Sequence, residues 1–194
     1  IATVRRRTEL RARPGGRVLA RLPRRTPFGS REVMWVVRHS GRWLGVVNPL
    51  VGNKHVGWLR AADASLGRDS WTLRVSIRAR TLTVLRDGRV RARYSIAVGA
   101  PANPTPTGRF DVTDRLQTGD PSGPYGCCIL ALSAVAPHPI VDWTGGNRIA
   151  IHSTPETWTI GKPVSHGCMR LTLAQGRWLL RHIPLGTPTL IRHT

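Results

Sequence analysis

The C-terminal third of the chain contains a cysteine whose neighbours could convert it into a nucleophile. Cys168 follows His166 by two residues and His152 by sixteen, and Gly167 directly precedes it. An isolated thiol, with a pKa of about 8.5, is only slightly ionised at neutral pH, so a reactive cysteine needs a base or a positive neighbourhood. Glycine permits a tight turn and leaves space for a substrate carbonyl. These residues favour a nucleophilic thiol, with a buried structural cysteine and a metal ligand as the alternatives.

A zinc site is the alternative that the same side chains allow. His152, His166 and Cys168, together with Cys127 or Cys128, would supply the four ligands that zinc commonly takes. The spacing lacks a Cys-x-x-Cys pair, which weakens this interpretation. His166 and Cys168 would nevertheless point to the same side of a strand, so the residues alone leave the metal site open.

The adjacent pair Cys127 and Cys128 has three interpretations. Adjacent cysteines rarely bond each other because the geometry is strained, and with three cysteines in the chain at least one thiol has no partner within it. The plain interpretation is therefore two small buried residues. A disulfide, or a redox control on Cys168, is the functional alternative.

One strand and one helix must position the reactive groups. Residues 148–152 alternate between isoleucine on one side and alanine and histidine on the other, which predicts a strand. The only convincing helix is predicted over 173–182, with Thr172 as N-cap and Gln175 at the capping-box position. Cys168 lies just before this helix, where helix-end amides would lower the pKa of the thiol and help to stabilise an oxyanion.

The remaining pattern divides the chain in two. Residues 61–70 are mostly small or polar and predict a linker, which sets a second domain at 71–194. Asp87-Gly88 is a strong hairpin signal within that domain. Further strands are predicted at 71–78, 82–85, 90–98, 109–112 and 189–191, and a stretch rich in Gly and Pro extends to about residue 126.

Residues 1–65 form the other predicted domain. Short β-rich segments alternate there with turn signals and no helical period is sustained, which predicts a small all-β barrel or sandwich. Trp35, Trp43 and Trp58 lie in this part. We expect at least two of the three to fill the core of a domain too small to manage without large side chains, with a ligand-binding surface as the alternative.

Positive charge dominates the composition. The 194 residues include 30 Lys and Arg against 10 Asp and Glu, a formal net charge of +20. The plain interpretation is a set of solvated strand faces, as at Arg89, Arg91 and Arg93. The functional interpretation is attraction to a polyanion: nucleic acid, anionic lipid or an anionic cell-wall polymer. No zinc-finger, helix-turn-helix or RNA-binding motif accompanies the charge.

The apolar content limits the class of protein. Apolar residues make up 40% of the chain, which excludes disorder of the whole. No apolar segment approaches the roughly 20 residues that a membrane-spanning helix needs.

The cysteine and histidine motifs together resemble the L,D-transpeptidase catalytic domain, the YkuD-like family. The signature is His152-Ser153, a spacer of about a dozen residues, and Ser-His-Gly-Cys at 165–168 with Arg two residues later. Residues 105–110 resemble the family's Thr-Pro-x-Gly-x-Phe segment, and 149–152 its Ile-x-Ile-His strand. The resemblance covers about 71–194.

The N-terminal part has a resemblance of its own. Residues 4–5, 41–46 and 57–59 are similar to bacterial Src-homology-3-like domains that are attached to cell-wall enzymes. The implied fold class is therefore mainly β. It comprises a small Src-homology-3-like β-barrel over 1–65, with a role in cell-wall binding, followed by an L,D-transpeptidase β-sandwich with one late helix.

The resemblance implies a role for each signature residue. Cys168 would be the acyl-accepting nucleophile and His152 the general base, whose imidazole the carbonyl of Ser153 orients. The backbone N–H groups of Gly167 and Cys168, with that of His166 as a further candidate, would form the oxyanion hole. The His166 side chain would shape the pocket rather than act as the base.

Further residues are candidates for contact with the substrate. Tyr125 would line the donor cleft, Ser165 belongs to the signature, and Arg170 would hold a carboxylate or support the site. A salt bridge within the fold is the alternative for Arg170. Trp143 and Trp158 bracket the histidine strand and are candidates for a lid, with core packing as the alternative.

The implied reaction is a two-step acyl transfer on peptidoglycan. Cys168 would attack the carbonyl between the third residue of a tetrapeptide stem and the terminal D-alanine, giving a thioester. The side-chain amine of a neighbouring stem would then form a 3→3 cross-link, whereas water would give L,D-carboxypeptidase activity, and some members attach a lipoprotein to the wall. No metal or organic cofactor is implied, and carbapenems are expected to acylate the thiol.

The resemblance also sets expectations for partners and location. We expect a monomer that acts on peptidoglycan stem peptides, associates with anionic cell-wall polymers and binds no nucleic acid. Its implied location is extracytoplasmic, in the cell wall or periplasm. Because the chain begins at Ile1, we expect a processed sequence that a signal or anchor could have preceded. A cell-wall binding protein without catalysis and a polyanion-binding protein are the rival classes.

Overall fold

The computed structural model describes residues 1–138 and 147–194. Within them the chain forms 18 strands, one α-helix and three short 3₁₀ turns, at Pro49–Val51, Ala61–Asp63 and Thr157–Thr159. The strands in chain order are β1 Ala2–Val4, β2 Thr8–Arg11, β3 Val18–Leu22, β4 Val33–Met34, β5 Val36–Ser40, β6 Trp43–Val46, β7 Gly57–Arg60, β8 Ala64–Leu66, β9 Trp71–Ser76, β10 Thr81–Arg86, β11 Arg89–Ser95, β12 Val98–Gly99, β13 Gly108–Gln117, β14 Cys128–Val135, β15 Arg148–Ser153, β16 Pro163–Ser165, β17 Met169–Leu171 and β18 Pro188–Arg192, with the helix α1 at Leu173–His182. No helix of these ranges is long and apolar enough to cross a membrane.

The larger sheet has eight strands in the order β11-β10-β9-β18-β13-β14-β15-β17 and is nearly closed into a barrel. The last strand of the chain, β18, lies in its middle, parallel to β9 and antiparallel to β13. At one end β15 and β17 run parallel, so the strand that carries His152 lies beside the strand that follows Cys168. The mainly β fold class with one late helix is confirmed.

Apolar side chains at alternate positions of the strands, and thus from one face of this sheet, make one large core. Phe110, Leu132, Ile149 and Ile151 are among its fully buried members. Burying such a side chain stabilises the fold by about 1.5–3 kcal/mol relative to leaving it in water. The core therefore fixes β13, β14 and β15 against one another, and β15 carries the site histidine.

The helix begins and ends where the sequence predicts. The Thr172 hydroxyl accepts from the Gln175 N–H at 3.3 Å, and the Gln175 side chain accepts from the Thr172 N–H at 3.0 Å. This capping box satisfies two backbone donors that would otherwise lack partners. Gly176 lies on the buried face, and a Cβ there would come within 2.8 Å of the Ser153 side chain. The glycine therefore lets α1 pack closely on β15.

For this sheet, one prediction from the sequence is confirmed and two are incomplete. The hairpin at Asp87-Gly88 is confirmed: it joins antiparallel β10 and β11, and both residues have positive φ, 51° and 75°. Strand β13 is longer than the predicted 109–112, and β14 was not predicted at all although Cys128–Val135 is mostly apolar. β14 is central, because it pairs with both β13 and β15.

The N-terminal residues build a smaller β unit around its own core. A five-stranded sheet, β3-β2-β7-β6-β5, and a three-stranded sheet, β4-β1-β8, surround aliphatic side chains such as Leu10, Met34 and Leu59. The 3₁₀ turn and β8 extend this unit through 66, so only 67–70 of the predicted linker 61–70 lack regular structure. The resemblance to Src-homology-3-like domains stays a prediction.

The expectation for the three N-terminal tryptophans is wrong. Trp35, Trp43 and Trp58 are each only partly buried, and the core cluster of residues 1–66, all of which the structure describes, consists of aliphatic residues and methionine. Nine aliphatic or sulfur-containing side chains suffice to fill it, so the large aromatic rings lie at its margins.

The N-terminal unit contacts the larger sheet through buried polar groups. The Trp35 N–H donates to the Asp111 carboxylate at 2.6 Å, and the Thr26 hydroxyl donates to the Asp114 carboxylate. The Asn53 side chain exchanges two hydrogen bonds of 2.7 Å with the backbone of Val135. The two units are thus joined by specific hydrogen bonds as well as by the chain.

Candidate active site

The register of β15 and β17 brings the thiol beside the histidine strand. Ile151 pairs with Met169 and His152 with Arg170, so Cys168, one residue before Met169, lies next to β15. Its Sγ accepts a hydrogen bond from the Ala150 N–H at 3.4 Å. Cys168 is partly buried and forms no disulfide.

His152 is held in one tautomer. Its ring is buried, with 3% of its surface exposed, and Nδ1 lies 2.8 Å from the carbonyl oxygen of Ser153. A carbonyl only accepts, so Nδ1 carries the proton and Nε2 is left as the basic atom. This is the contact that the resemblance implies for Ser153, whose side chain is itself fully buried.

Burial keeps both reactive groups neutral. It lowers the pKa of His152 to about 4, assisted by the Arg170 charge and opposed by the hydrogen bond to the Ser153 carbonyl. Burial likewise raises the pKa of the Cys168 thiol, against the opposing effects of the Ala150 N–H and Arg170. At neutral pH the resting pair is therefore a thiol and a neutral imidazole. Attack by sulfur requires the proton to pass to a base as the new bond forms.

The Ser165 hydroxyl holds the loop that carries Cys168. The Ser165 hydroxyl donates to the Cys168 carbonyl at 2.5 Å and accepts from the Gly167 N–H at 3.2 Å. The Gly167 N–H, one of the predicted oxyanion donors, is thus engaged by Ser165 in this structure. The backbone at Gly167 has φ +111°, and a Cβ there would lie 2.8 Å from Ile149. Both observations require glycine at this position.

Thr105 supports the same loop from the other side. Its hydroxyl donates to the Gly167 carbonyl at 2.8 Å and accepts from the Gly99 N–H at 2.9 Å, and the side chain is buried. Sequence reasoning noted Thr105 only as part of the Thr-Pro-x-Gly-x-Phe motif and did not assign it a role at the site. The Ala150 N–H was also missed, because backbone donors carry no residue signature.

Tyr125 and Arg170 both lie close to the reactive pair. The Tyr125 ring centroid is 4.9 Å from that of His152, with the planes at 63°. Burial first, and then the nearby Cys168, raise the pKa of the Tyr125 hydroxyl to about 12, so it stays protonated. Arg170 forms a 2.9 Å ion pair with Glu156, which is the alternative that the sequence left open. Among the described residues its Nε is buried without a hydrogen-bond partner.

The other candidate side chains are more peripheral. His166 is exposed, although it lies within the signature. Trp158 is 64% exposed and its ring faces the Lys162 ammonium at 5.2 Å, so core packing is wrong for this residue. Trp143 lies outside the described residues.

The structure joins Cys127 and Cys128 in a disulfide, which is one of the alternatives that the sequence left open; the plain interpretation as two separate buried residues is wrong. Gly126, immediately before the pair, has a positive φ of 52°, and a Cβ there would lie 2.7 Å from the Ser153 hydroxyl. The Cys127 Sγ lies 3.4 Å from the Ser153 hydroxyl, and the Cys128 N–H donates to that hydroxyl at 3.1 Å. The disulfide therefore lies against the residue that orients His152.

Nothing in the described residues offers a metal site built from these side chains. Across 1–138 and 147–194, no three His, Cys, Asp or Glu groups lie close enough to share an ion. The arrangement suits acyl transfer, with a thiol at Cys168, a neutral imidazole at His152 and a carbonyl at Ser153 that orients the imidazole.

Comparison with known proteins identifies the family. Residues 70–191 match the model of the YkuD family, the L,D-transpeptidase catalytic domain. The chain belongs to this family. YkuD of Bacillus subtilis (strain 168), whose name assigns it to the L,D-transpeptidases, is 37% identical over 117 residues, which are 60% of this chain and 63% of that protein.

Solved structures of L,D-transpeptidases share the fold. An L,D-transpeptidase from Mycobacterium tuberculosis H37Rv has a TM-score of 0.54 at 17% identity, over 83% of this chain and 93% of that one. An L,D-transpeptidase in complex with imipenem has a TM-score of 0.52 at 18% identity, over 83% and 94% of the two chains. The signature residues 152–153 and 165–168 of this YkuD-family chain thus lie on the fold that these solved structures share.

Proposed function

We propose that this protein is an L,D-transpeptidase that forms 3→3 cross-links between peptidoglycan stem peptides through a thioester on Cys168. One observation carries the proposal. The Cys168 sulfur is held on the Ala150 N–H, next to the strand of a buried neutral histidine whose Nδ1–H is bound by the Ser153 carbonyl.

The acylation step follows from the protonation states. As the Cys168 sulfur attacks the carbonyl before the terminal D-alanine, the thiol proton moves to Nε2 of His152. The carbonyl oxygen becomes an oxyanion, which the Cys168 N–H stabilises, joined by the Gly167 N–H once the Ser165 hydroxyl gives way. The C–N bond then breaks, His152 returns the proton to the leaving amine, and D-alanine departs from a thioester.

The second step regenerates the thiol. An amine of a neighbouring stem attacks the thioester and loses a proton to His152. The C–S bond breaks, and the proton passes from His152 to the departing sulfur. The product is an amide between two stems, and no oxidant or cofactor enters the balance. Water in place of the amine gives L,D-carboxypeptidase activity at the same site.

The proposal also covers two side chains near Cys168 and His152, and the location and partners of the protein. Tyr125, with its high pKa, is a neutral hydroxyl at the edge of the reactive pair and would border the donor stem. Arg170 would attract a stem carboxylate, because its charge is only partly offset by the exposed Glu156. Since the substrate is wall material, we propose that the protein acts outside the cytoplasm as a monomer, in contact with anionic wall polymers and without nucleic acid.

Intact-mass spectrometry with imipenem tests the nucleophile. We expect a single covalent adduct on the wild type and none on Cys168→Ala, because only the thiol can be acylated. His152→Gln should form the adduct at least about a hundredfold more slowly, since general-base catalysis supplies about 10²–10⁴-fold. Absence of an adduct on folded, wild-type protein would contradict the proposal.

Synthetic disaccharide-tetrapeptide then separates the two acceptors. Release of D-alanine with formation of a cross-linked dimer supports transpeptidation, whereas D-alanine with tripeptide alone supports carboxypeptidase activity. Cys168→Ser is the matched control, because it keeps the shape of the site but replaces the thiol by a far weaker acid.

A further inference from the structure

A basic groove on the N-terminal unit takes no part in the acyl transfer. It encloses a cavity of about 740 Å³ whose lining includes the arginines 6, 7, 11, 21 and 60 around Trp43. A second cavity of about 640 Å³ shares Arg7 with the first and adds the arginines 5, 24, 25 and 31. The two cavities share Arg7 and Pro23 in their linings, and together we call them the arginine groove.

The positive charge of the arginine groove is not neutralised by its own acids. The described lining holds nine arginines against two carboxylates, Glu9 and Asp63, a surplus of seven charges. Glu9 is paired with Arg11 at 2.6 Å, and Asp63 with Arg6 at 2.5 Å and the Thr8 hydroxyl at 2.6 Å. The carboxylates are thus engaged. Arg5 donates to the Ser65 hydroxyl and Arg25 to the Gly29 carbonyl, and these neutral partners leave the positive charge of the lining in place.

A concave surface of one sign focuses the field and concentrates oppositely charged ligands. Guanidinium groups are planar forks that match phosphate oxygens in pairs. Arginines placed along two joined cavities, rather than gathered at one point, fit a ligand with repeated phosphates. A phosphodiester polymer carries such repeated phosphates, whereas a single phosphate would contact only part of the groove.

The aromatic group in the groove argues against nucleic acid. Proteins that bind single strands stack bases on exposed aromatic faces. Trp43 is partly buried and its ring is covered by the Arg60 guanidinium at 5.2 Å. The Arg60 guanidinium thus occupies one face of the ring, which leaves less surface for base stacking and favours a polymer without bases.

We propose that the arginine groove binds a base-free phosphodiester polymer of the cell wall and so keeps the catalytic domain beside its substrate. This proposal rests on the proposed function, because acting on peptidoglycan would bring the protein to the cell wall, where the polymer occurs. The positive charge of the groove does not depend on that function. The expected ligand is thus a phosphodiester chain rather than any polyanion. Its binding site is formed by the two cavities of the arginine groove.

Binding of fluorescent poly(glycerol phosphate) to the full chain at low salt tests the proposal. The triple variant Arg7→Gln, Arg21→Gln, Arg24→Gln removes three exposed arginines of the groove. Arg21 lines the first cavity, Arg24 lines the second, and Arg7 lines both. The triple variant Arg89→Gln, Arg91→Gln, Arg93→Gln removes three exposed arginines of β11 and has the same net charge. Melting curves and the imipenem adduct are measured on both, to verify folding.

We expect the groove variant to bind at least tenfold more weakly and to lose about two to three units of the slope of log affinity against log salt, because each phosphate contact releases a counterion. The β11 variant should bind within about threefold of the wild type. An equal loss of affinity for the polymer in the two variants would contradict binding at the arginine groove, since net charge alone would then explain binding. Equal or tighter binding of single-stranded DNA with the same number of phosphates would overturn the base-free polymer.

The same measurements distinguish this proposal from the enzymatic one. Polymer binding by Cys168→Ala at wild-type affinity supports the groove whatever the fate of the acyl transfer. An imipenem adduct without polymer binding sustains the transpeptidase and overturns the groove.

Discussion

The backbone N–H of Cys128 donates to the hydroxyl of Ser153 at 3.1 Å. The carbonyl of the same serine holds Nδ1 of His152 at 2.8 Å, so Ser153 links the disulfide to the imidazole. The glycine at 176 brings α1 against the same side chain. The orientation of the imidazole therefore depends on groups that are themselves fixed by the disulfide and the helix.

Reduction of the Cys127–Cys128 disulfide should slow acylation by imipenem by about tenfold. Two electrons and two protons from dithiothreitol convert the bond into two thiols, which releases the constraint on the Cys128 N–H and on Ser153. Small misplacements of a catalytic base have effects of this size or larger. The acylation rate is measured after the reductant is removed, in air-free buffer. Cys127→Ser combined with Cys128→Ser should be insensitive to the reductant, and an unchanged rate in reduced wild type would contradict the coupling.

The pH profile of acylation should lack an ordinary histidine limb. Burial lowers the pKa of His152 to about 4, so the base is already neutral at pH 5 and the rate falls about tenfold per unit only below pH 4. Rates are measured by mass spectrometry from pH 3.5 to 8, with circular dichroism to verify folding. His166→Gln, at an exposed position, should show the same profile. A midpoint near 6.5 in the wild type would show that His152 is not buried in its neutral form.

Thr105→Val should weaken both the fold and the site. The substitution keeps the side chain's shape but leaves the Gly99 N–H and the Gly167 carbonyl without their shared hydroxyl. Such buried unpaired groups cost about 1–3 kcal/mol of unfolding free energy. The loop of Cys168 then loosens, and we expect acylation to slow about tenfold. Thr105→Ser restores the hydroxyl and should recover most of the rate; a valine variant as fast as the wild type would exclude the positioning role.

Asp111→Asn should stabilise the protein at alkaline pH. Burial, opposed by the Trp35 N–H and by Ser133 and Arg148, raises the pKa of Asp111 to about 7. A group with a folded pKa above its unfolded value contributes stability that is present below about pH 4 and is lost as the pH rises through 7. The asparagine cannot ionise, so we expect its stability relative to the wild type to rise by about 2–3 kcal/mol between pH 5 and pH 8, at about 1.4 kcal/mol per pH unit up to the folded pKa.

Urea denaturation at the two pH values measures this difference. Asp87→Asn is the matched control, since its carboxylate is exposed in the β10–β11 turn and should leave stability unchanged. Glu32, whose pKa burial also raises to about 7, lies in the same cluster and adds to the pH dependence that remains. A destabilised Asp111→Asn at pH 8 would mean that the ionised carboxylate is needed for its bond to Trp35.

Local sequence patterns correctly predicted the structural elements that depend on residues close together in the chain. The capping box at Thr172, the positive-φ turn at Asp87-Gly88 and the alternation of residues 148–152 all depend on neighbours within a few positions. The spacing of Ser165 to Cys168 after His152 likewise indicated the reactive pair, because a few residue types in a fixed order are chemically specific. The N-terminal tryptophans were misjudged, since the size of a side chain does not decide which side of a strand faces the core.

The tertiary structure decided what depends on distant partners. Strand β18 enters the middle of the sheet, Thr105 binds Gly167 across 62 residues, and the Ser153 hydroxyl meets Cys128 across 25. The low pKa of His152 also arises only when strands far apart in sequence exclude water from the ring. Sequence alone thus pointed to the family and to the candidate residues for its chemistry. Folding determined their protonation and their supports, because burial and hydrogen bonds between remote segments exist only in the packed chain.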